Sequence, residues 1–322
     1  MIQGRGPGGS IQCLKFDNLS QDRVYTASID GTVTRHDFTG GDNKIYLGEH
    51  QHSNWDRWYI GLDVSFATRT MVAGNNKGMV TLLSLEGERI WEKKLHKSKC
   101  NFVQFSERQS WMMVTTSTGA GTGSVKVWDI RNIQGPESAL AELHHDKAVN
   151  SAYFSPQSGD KLLTTDQHSQ LRVYQAPHFS LVRTIAHPHR QFQHLTPIKA
   201  CWHPLADIAL AGRYPDPNFP SYHAGELRTI DFFCPETGKL LHGLHQPGLS
   251  QIISLSQFNC SGDKMLSGMA SSVLVWQPRP SEEEEEEGQQ SSSLATEVGG
   301  LTVQQWPDFS VKKKQAKKAM KK

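Results

Sequence analysis

The sequence predicts an all-β chain, a β-propeller with six recognisable blades of an expected seven and a charged C-terminal tail without ordered structure. Three observations predict it. One short phrase recurs six times, at intervals of 41 to 56 residues. Each instance is followed by further runs in which apolar and polar residues alternate, the period of a half-buried strand. The runs are short, rich in Val, Thr, Tyr and Trp, and divided by turn pairs such as Asp30-Gly31, which favours strands over helices.

The phrase is an apolar pair around a polar residue at a strand end. Its instances are Leu14-Lys15-Phe16-Asp17, Leu62-Asp63-Val64-Ser65, Val103-Gln104-Phe105-Ser106, Ala152-Tyr153-Phe154-Ser155, Ala200-Cys201-Trp202-His203 and Ser256-Gln257-Phe258-Asn259. A second run ends in small residues, as in Val24-Tyr25-Thr26-Ala27-Ser28 or Leu162-Leu163-Thr164-Thr165-Asp166. A third run alternates, as in Ser124-Val125-Lys126-Val127-Trp128-Asp129 and Ser272-Val273-Leu274-Val275-Trp276. A weaker fourth follows, for example Leu181 to Ile185. Four strands per repeat of this length is the pattern of a propeller blade. Trp128-Asp129 supplies the literal dipeptide of the WD-repeat family, which the chain resembles.

Three segments are expected: an unstructured start over 1–8, a propeller over 9–278 and a tail over 279–322. The tail opens with the acidic run Glu282 to Glu287 and closes on lysines from Lys312 to Lys322. Such blocks repel themselves and stay extended. The lysines read as a nuclear-import signal or as a solvated tail. Lys+Arg number 34 against 32 Asp+Glu, so a nucleic-acid site on this chain must be local rather than global. No apolar run approaches the roughly 20 residues of a membrane span. Five cysteines, widely spaced and without a CxxC pair, suit a reducing compartment.

Strands run antiparallel within a blade. The loop between second and third strands therefore shares an end with the link to the next blade, and the other two loops share the opposite end. The first end receives Asn54-Trp55-Asp56-Arg57-Trp58, His96-Lys97-Ser98-Lys99, the glycine-rich Gly119 to Gly123, the long link His187 to Pro197, and the insertion that begins Arg213-Tyr214-Pro215. Cations mixed with aromatics suit phosphates and base stacks. Polar propeller loops shaped by His and Pro are the alternative reading. Phe192-Gln193-His194 lies between Pro188 and Pro197. An apolar tip there packs on the blade edge or wedges into a base stack, where a damaged step opens more readily than an intact one.

The run His187-Pro188-His189-Arg190-Gln191-Phe192-Gln193-His194-Leu195-Thr196-Pro197 closely resembles the lesion-binding hairpin of the UV-damaged-DNA-binding WD-repeat family, the xeroderma pigmentosum group E factors. Gly212 to Phe219, Leu162 to Gln167 and Gly8-Gly9-Ser10-Ile11 resemble it too. The resemblance implies a nuclear sensor of damaged duplex DNA in nucleotide-excision repair. Phe192, Gln193, His194 and Arg190 match the hairpin. Trp58, Lys99, Arg213 and Tyr214 match DNA-facing loop positions. Trp128-Asp129-Ile130-Arg131 resembles the motif through which the family meets the large adaptor subunit of a cullin-RING ubiquitin ligase, which makes Trp128, Asp129 and Arg131 adaptor-binding candidates, although Trp128 and Asp129 also suit blade packing. It further implies an N-terminally truncated member, without a first blade or the segment that inserts into the adaptor. The alternative function is a scaffold that binds a peptide or histone tail on its loop face.

No catalytic motif, cofactor, metal site or membrane contact is expected. The close pairs His187/His189, His144/His145 and His50/His52 lack Cys or carboxylate partners at ligand spacing and are read as loop histidines.

Overall fold

The structure is a computed structural model. It describes residues 10–48, 57–119, 122–189, 196–249, 251–270, 272–278, 295–298 and 301–305. The expected start over 1–8 lies outside these residues. The chain divides into two units, Met1–His168 with Tyr174–Leu181, and Ser169–Val173 with Val182–Lys322.

The strands assemble into six meander sheets. Blade 1 is β1 (Ile11–Phe16), β2 (Arg23–Ser28), β3 (Val33–Asp37) and β4 (Lys44–Leu47). Blade 2 is β5 (Tyr59–Ser65), β6 (Thr70–Asn75), β7 (Met79–Ser84) and β8 (Arg89–Lys94). Blade 3 is β9 (Cys100–Phe105), β10 (Met112–Thr118), β11 (Gly123–Asp129) and β12 (Ala141–His145). Blade 4 is β13 (Val149–Phe154), β14 (Lys161–Asp166), β15 (Gln170–Gln175) and β16 (Ser180–Ala186). Blade 5 is β17 (Cys201–Trp202), β18 (Ala209–Gly212), β19 (Ile230–Phe233) and β20 (Leu240–Leu244). Blade 6 begins with β21 (Ile253–Phe258), β22 (Met265–Met269) and β23 (Ser272–Pro278). The class is all-β, the WD-repeat β-propeller that the repeats predict.

Each recurring phrase ends a first strand, and the turns form where the sequence supplies their chemistry. Asp30 Oδ1 accepts hydrogen bonds from the Thr32 N–H at 3.0 Å and the Thr32 hydroxyl at 2.7 Å, an Asx turn. Gly31 sits at φ +82, where a Cβ would also lie 2.9 Å from the Arg57 carbonyl.

The tail was expected to lack strands. Within it, β24 (Ala295–Val298) and β25 (Leu301–Gln305) extend the blade 6 sheet, β25 pairing with β23 and with β24. The physical reason is legible afterwards. Leu301-Thr302-Val303 alternates β-formers beside a three-stranded sheet, and Gly299-Gly300 is a hairpin signal between the two runs. The other tail residues, including the acidic and lysine blocks, lie outside the described ones.

In unit 1 the core lies between successive blades. Tyr25, Ala27 and Val33 of blade 1 pack with Leu62, Met71 and Ala73 of blade 2. Val72, Val80 and Leu82 of blade 2 pack with Val103, Phe105 and Trp128 of blade 3. In unit 2, Leu210 and Ile230 of blade 5 pack with Ile253, Met265 and Trp276 of blade 6.

Several histidines are buried: His96, His187 and His189 lie in links, as the loop reading has it for His187 and His189, whereas His145 ends strand β12. His96 Nε2 lies 2.7 Å from the Thr115 hydroxyl, which accepts the Trp128 indole N–H at 2.8 Å. His145 Nδ1 lies 3.1 Å from Asp166, and its Nε2 lies 3.3 Å from Thr164 and 3.2 Å from the Tyr174 hydroxyl. A buried polar ring is stable only when hydrogen-bonded, and these partners come from other strands, out of reach of a spacing rule. His144 is exposed, and His50 and His52 lie outside the described residues.

Candidate nucleic-acid interface

In unit 1 the links and the second-to-third turns are laced together at one end of the blades. The Trp58 N–H donates to Asn76 Oδ1 at 3.0 Å, and the Asn76 N–H donates back to the Trp58 carbonyl at 3.1 Å. Trp58 is thus held at the mouth of blade 2, half-buried. Asn75 shapes the same turn, its Oδ1 accepting the Lys77 N–H at 2.9 Å and the Met79 N–H at 3.0 Å.

The link to blade 3 crosses directly over Gly78. The Leu95 and His96 N–H groups donate to the Gly78 carbonyl at 3.0 and 3.2 Å. A Cβ on Gly78, whose φ is +78, would lie 2.2 Å from the His96 carbonyl, so a side chain there would displace the link. His96 anchors that link from inside. Burial, with Lys126 nearby, pulls its pKa down to about 4, so at neutral pH it is an uncharged hydrogen-bonding group. Beyond this anchor Lys99 is exposed, and the Thr118 N–H donates to its carbonyl at 3.2 Å. Desolvation lowers its pKa. Among the described residues it has no carboxylate partner.

Charge is distributed unequally between the two ends of unit 1. Among the described residues, the link end carries Arg57, Lys77, Lys97, Lys99 and Lys147 against Asp30 and Asp146. The opposite end carries Arg69, Arg108 and Arg131 against eight carboxylates, among them Asp22, Asp42, Glu86 and Glu88. An anionic polymer is attracted to the first end and repelled by the second.

In unit 2 the corresponding end is built differently. Arg213 follows β18, but its guanidinium turns inward. Nε and Nη2 donate to Asp231 Oδ2 at 2.8 and 2.7 Å, and Nη1 donates to Glu226 Oε1 at 2.5 Å. The Asp231 carboxylate also accepts the Thr229 hydroxyl at 2.5 Å, and His187 Nε2 lies 3.4 Å from it. Burial works against the Asp231 charge, yet His187, Thr229 and Arg213 together hold its carboxyl below the usual range. Burial keeps His187 neutral, its pKa lowered. His187 and His189 face each other through their Nδ1 atoms at 3.1 Å, so one ring donates and the other accepts.

The consequence reaches Tyr214. Its N–H donates to the Pro188 carbonyl at 2.7 Å, and the Arg228 guanidinium lies over its ring, 5.1 Å from the centroid. The insertion is thereby tied to the start of the long link. Phe192, Gln193, His194 and Arg190 lie outside the described residues, as does Trp55.

Reasoning from sequence missed Asp231 and Glu226. A signal was present: Asp231 interrupts the apolar run Ile230-Asp231-Phe232-Phe233, and a carboxylate in such a run calls for a cation.

The adaptor candidates separate by burial. Trp128 is fully buried, so it takes the packing role in the core around His96 and Thr115. Arg131 donates to Asp129 in a bidentate pair along one guanidinium edge, Nε to Oδ1 at 2.8 Å and Nη2 to Oδ2 at 2.7 Å. The Arg131 guanidinium lies over the Trp111 ring at 4.9 Å and is exposed at the end of blade 3 opposite Lys99. Among the described residues no group of three His, Cys, Asp or Glu is placed to hold a metal ion.

No family model matches the chain. Curated relatives do. DNA damage-binding protein 2 of Gallus gallus is 46% identical over 280 residues, covering 85% of this chain and 55% of that protein. DNA damage-binding protein 2 of Danio rerio is 42% identical and covers 85% of this chain and 54% of its own length. WD repeat-containing protein 76 of Mus musculus is 25% identical over 82% of this chain and 41% of that protein. The chain spans about half the length of these first two relatives. With blades of the predicted kind, and with this level of identity across most of its length, the chain belongs to the DNA damage-binding protein 2 family.

Proposed function

We propose that the chain recognises damaged duplex DNA in the nucleus through the link end of its blades. The observation that carries this reading is the charge difference in unit 1, where exposed lysines and Trp58 share one end while carboxylates dominate the other. The names of the relatives support it. Lys99 neutralises phosphate. Trp58 and Tyr214 offer rings to unstacked bases. Phe192, Gln193 and His194 form the wedge that enters the minor groove at the lesion. Opening a base step costs a few kcal/mol, less where damage has already weakened it, so discrimination comes from deformability rather than base sequence. Arg213 acts from behind, holding the loop of Tyr214. At the opposite end Arg131 meets the ligase adaptor, so that bound chromatin and the recruited ubiquitin ligase occupy separate surfaces.

One experiment tests both halves. The chain and its Arg131→His variant are titrated with duplexes with and without a UV photoproduct, at stated salt, and with the adaptor subunit. The expected result is tighter binding to the damaged duplex by both, with adaptor binding weakened in the variant alone. Equal affinity for the two duplexes rejects the damage-sensor reading and leaves a peptide or histone-tail scaffold as the better one. Adaptor binding that is unchanged in the variant rejects the Arg131 contact.

A further inference from the structure

We propose that His189, His187 and Asp231 are positioning residues for the link that leads into Phe192, Gln193 and His194, a role that rests on the DNA-binding reading of that link. The three form a chain of contacts running from a buried charge to the link.

His187, Pro188 and His189 are each held in a different way. The His187 N–H donates to the Ser169 carbonyl at 2.9 Å, and the Pro188 carbonyl accepts the Tyr214 N–H at 2.7 Å. His189 is only 1% exposed and is held through its ring. Its Nδ1 lies 3.1 Å from His187 Nδ1, with the two ring planes 26° apart. The His187 ring in turn meets Phe233 edge to face, with 5.5 Å between centroids. The link is thus tied through its backbone at His187 and Pro188, and through an imidazole pair at His189.

Donor chemistry fixes where the protons of that pair sit. Asp231 Oδ2 accepts Arg213 Nε and Nη2 at 2.8 and 2.7 Å, and Oδ1 accepts the Thr229 hydroxyl at 2.5 Å. The carboxylate is an acceptor only. His187 Nε2 faces the same Oδ2 at 3.4 Å. That is longer than the usual hydrogen bond, so the carboxylate acts on the ring through its charge. A proton on Nε2 is attracted and a lone pair there is repelled. Burial lowers the His187 pKa, so at neutral pH the ring carries one proton, on Nε2, and its Nδ1 is bare. The proton between the rings therefore belongs to His189 Nδ1, which donates to His187 Nδ1. Without the carboxylate either ring could donate, and the pair would lose its single arrangement. A wedge whose approach is held in one arrangement before binding loses less free energy to ordering at the lesion.

The test pairs spectroscopy with binding. In the isotope-labelled chain at neutral pH, imidazole nitrogen shifts are expected to show His187 protonated at Nε2 and His189 at Nδ1. The reverse order, or mixed tautomers at both rings, overturns the proposal. His189→Leu and His189→Asn are then titrated with duplexes with and without a UV photoproduct. Asn offers an amide N–H close to the place of the Nδ1 proton, and Leu offers none. Affinity of His189→Leu for the damaged duplex is expected to fall roughly three- to tenfold, the usual contribution of one neutral hydrogen bond. Its affinity for intact duplex is expected to hold, and His189→Asn is expected to recover most of the loss. His189→Ala takes the place of His189→Leu if the melting transition of that variant is lost. An equal loss on both duplexes, no loss at all, or no recovery with Asn overturns the positioning role. Equal binding of the two duplexes by the unmodified chain overturns the damage-sensor reading instead, a failure told apart by the tautomer order, which stands or falls without DNA.

Discussion

Lys99 and Arg213 hold comparable places at the link end of their blades, and the family resemblance marks both as DNA-facing. The structure treats them oppositely. Lys99 stands exposed beyond the His96 anchor without a carboxylate partner among the described residues, whereas Arg213 is clamped between Asp231 and Glu226. The first is available to an anionic polymer. The second is neutralised and holds a loop. A cation in a loop sequence thus becomes surface potential only if the fold leaves it without an internal acid.

The largest expected effect lies on the clamped side. Arg213→Ala leaves two buried carboxylates without their cation, and breaking a buried pair in this way costs about 3–5 kcal/mol. Chemical denaturation of the variant should show that loss. A variant as stable as the unmodified chain would break the contrast, since Arg213 would then be as free as Lys99.

Acid sharpens the comparison next, because a neutral histidine anchors the link that carries Lys99. The pKa of His96 is about 4 in the fold and roughly 6.5 in an unfolded chain. The unfolded state therefore binds the proton first. The contribution of His96 is fully present above pH ~6.5 and is lost as pH falls from there toward ~4, by about 1.4 kcal/mol per pKa unit at most. Stability of the chain and of His96→Gln should converge over that window. Parallel curves would mean that His96 is not the titrating anchor.

The smallest effect on stability, and the one specific to binding, belongs to Lys99→Glu. Melting should hardly move, since exposed charges contribute about 0–1 kcal/mol. Affinity for duplex should fall, and the slope of log affinity against log salt should shrink by ~1. An unchanged slope would place Lys99 outside the phosphate contacts.

Much of the fold was legible beforehand because its signals are local. The third residue of each recurring phrase lies on a first strand in all six blades, from Phe16 to Phe258. Turn residues such as Asp30 and Gly31 fall where second strands pass to third. In the sequence Trp128 suited both adaptor binding and blade packing; the partners that surround it in the core, His96 and Thr115, come from a link and another strand. His187 and His189 do lie in a link, but adjacency in sequence says nothing about their burial or about the carboxylate beside His187. The strands β24 and β25 were missed because a highly charged composition masked the two short runs Ala295–Val298 and Leu301–Gln305.

The sequence by itself determined the blades, their order and the end of each blade to which a loop belongs. Period-two alternation and turn chemistry act over a few residues, and an antiparallel meander allows few connections. Tertiary structure alone decided which charges are paired, which histidines are neutral and which apolar faces pack together. Those outcomes depend on what a neighbouring strand brings within hydrogen-bonding or van der Waals distance: Asp231 beside Arg213, Thr115 beside His96, and β13 over Val114.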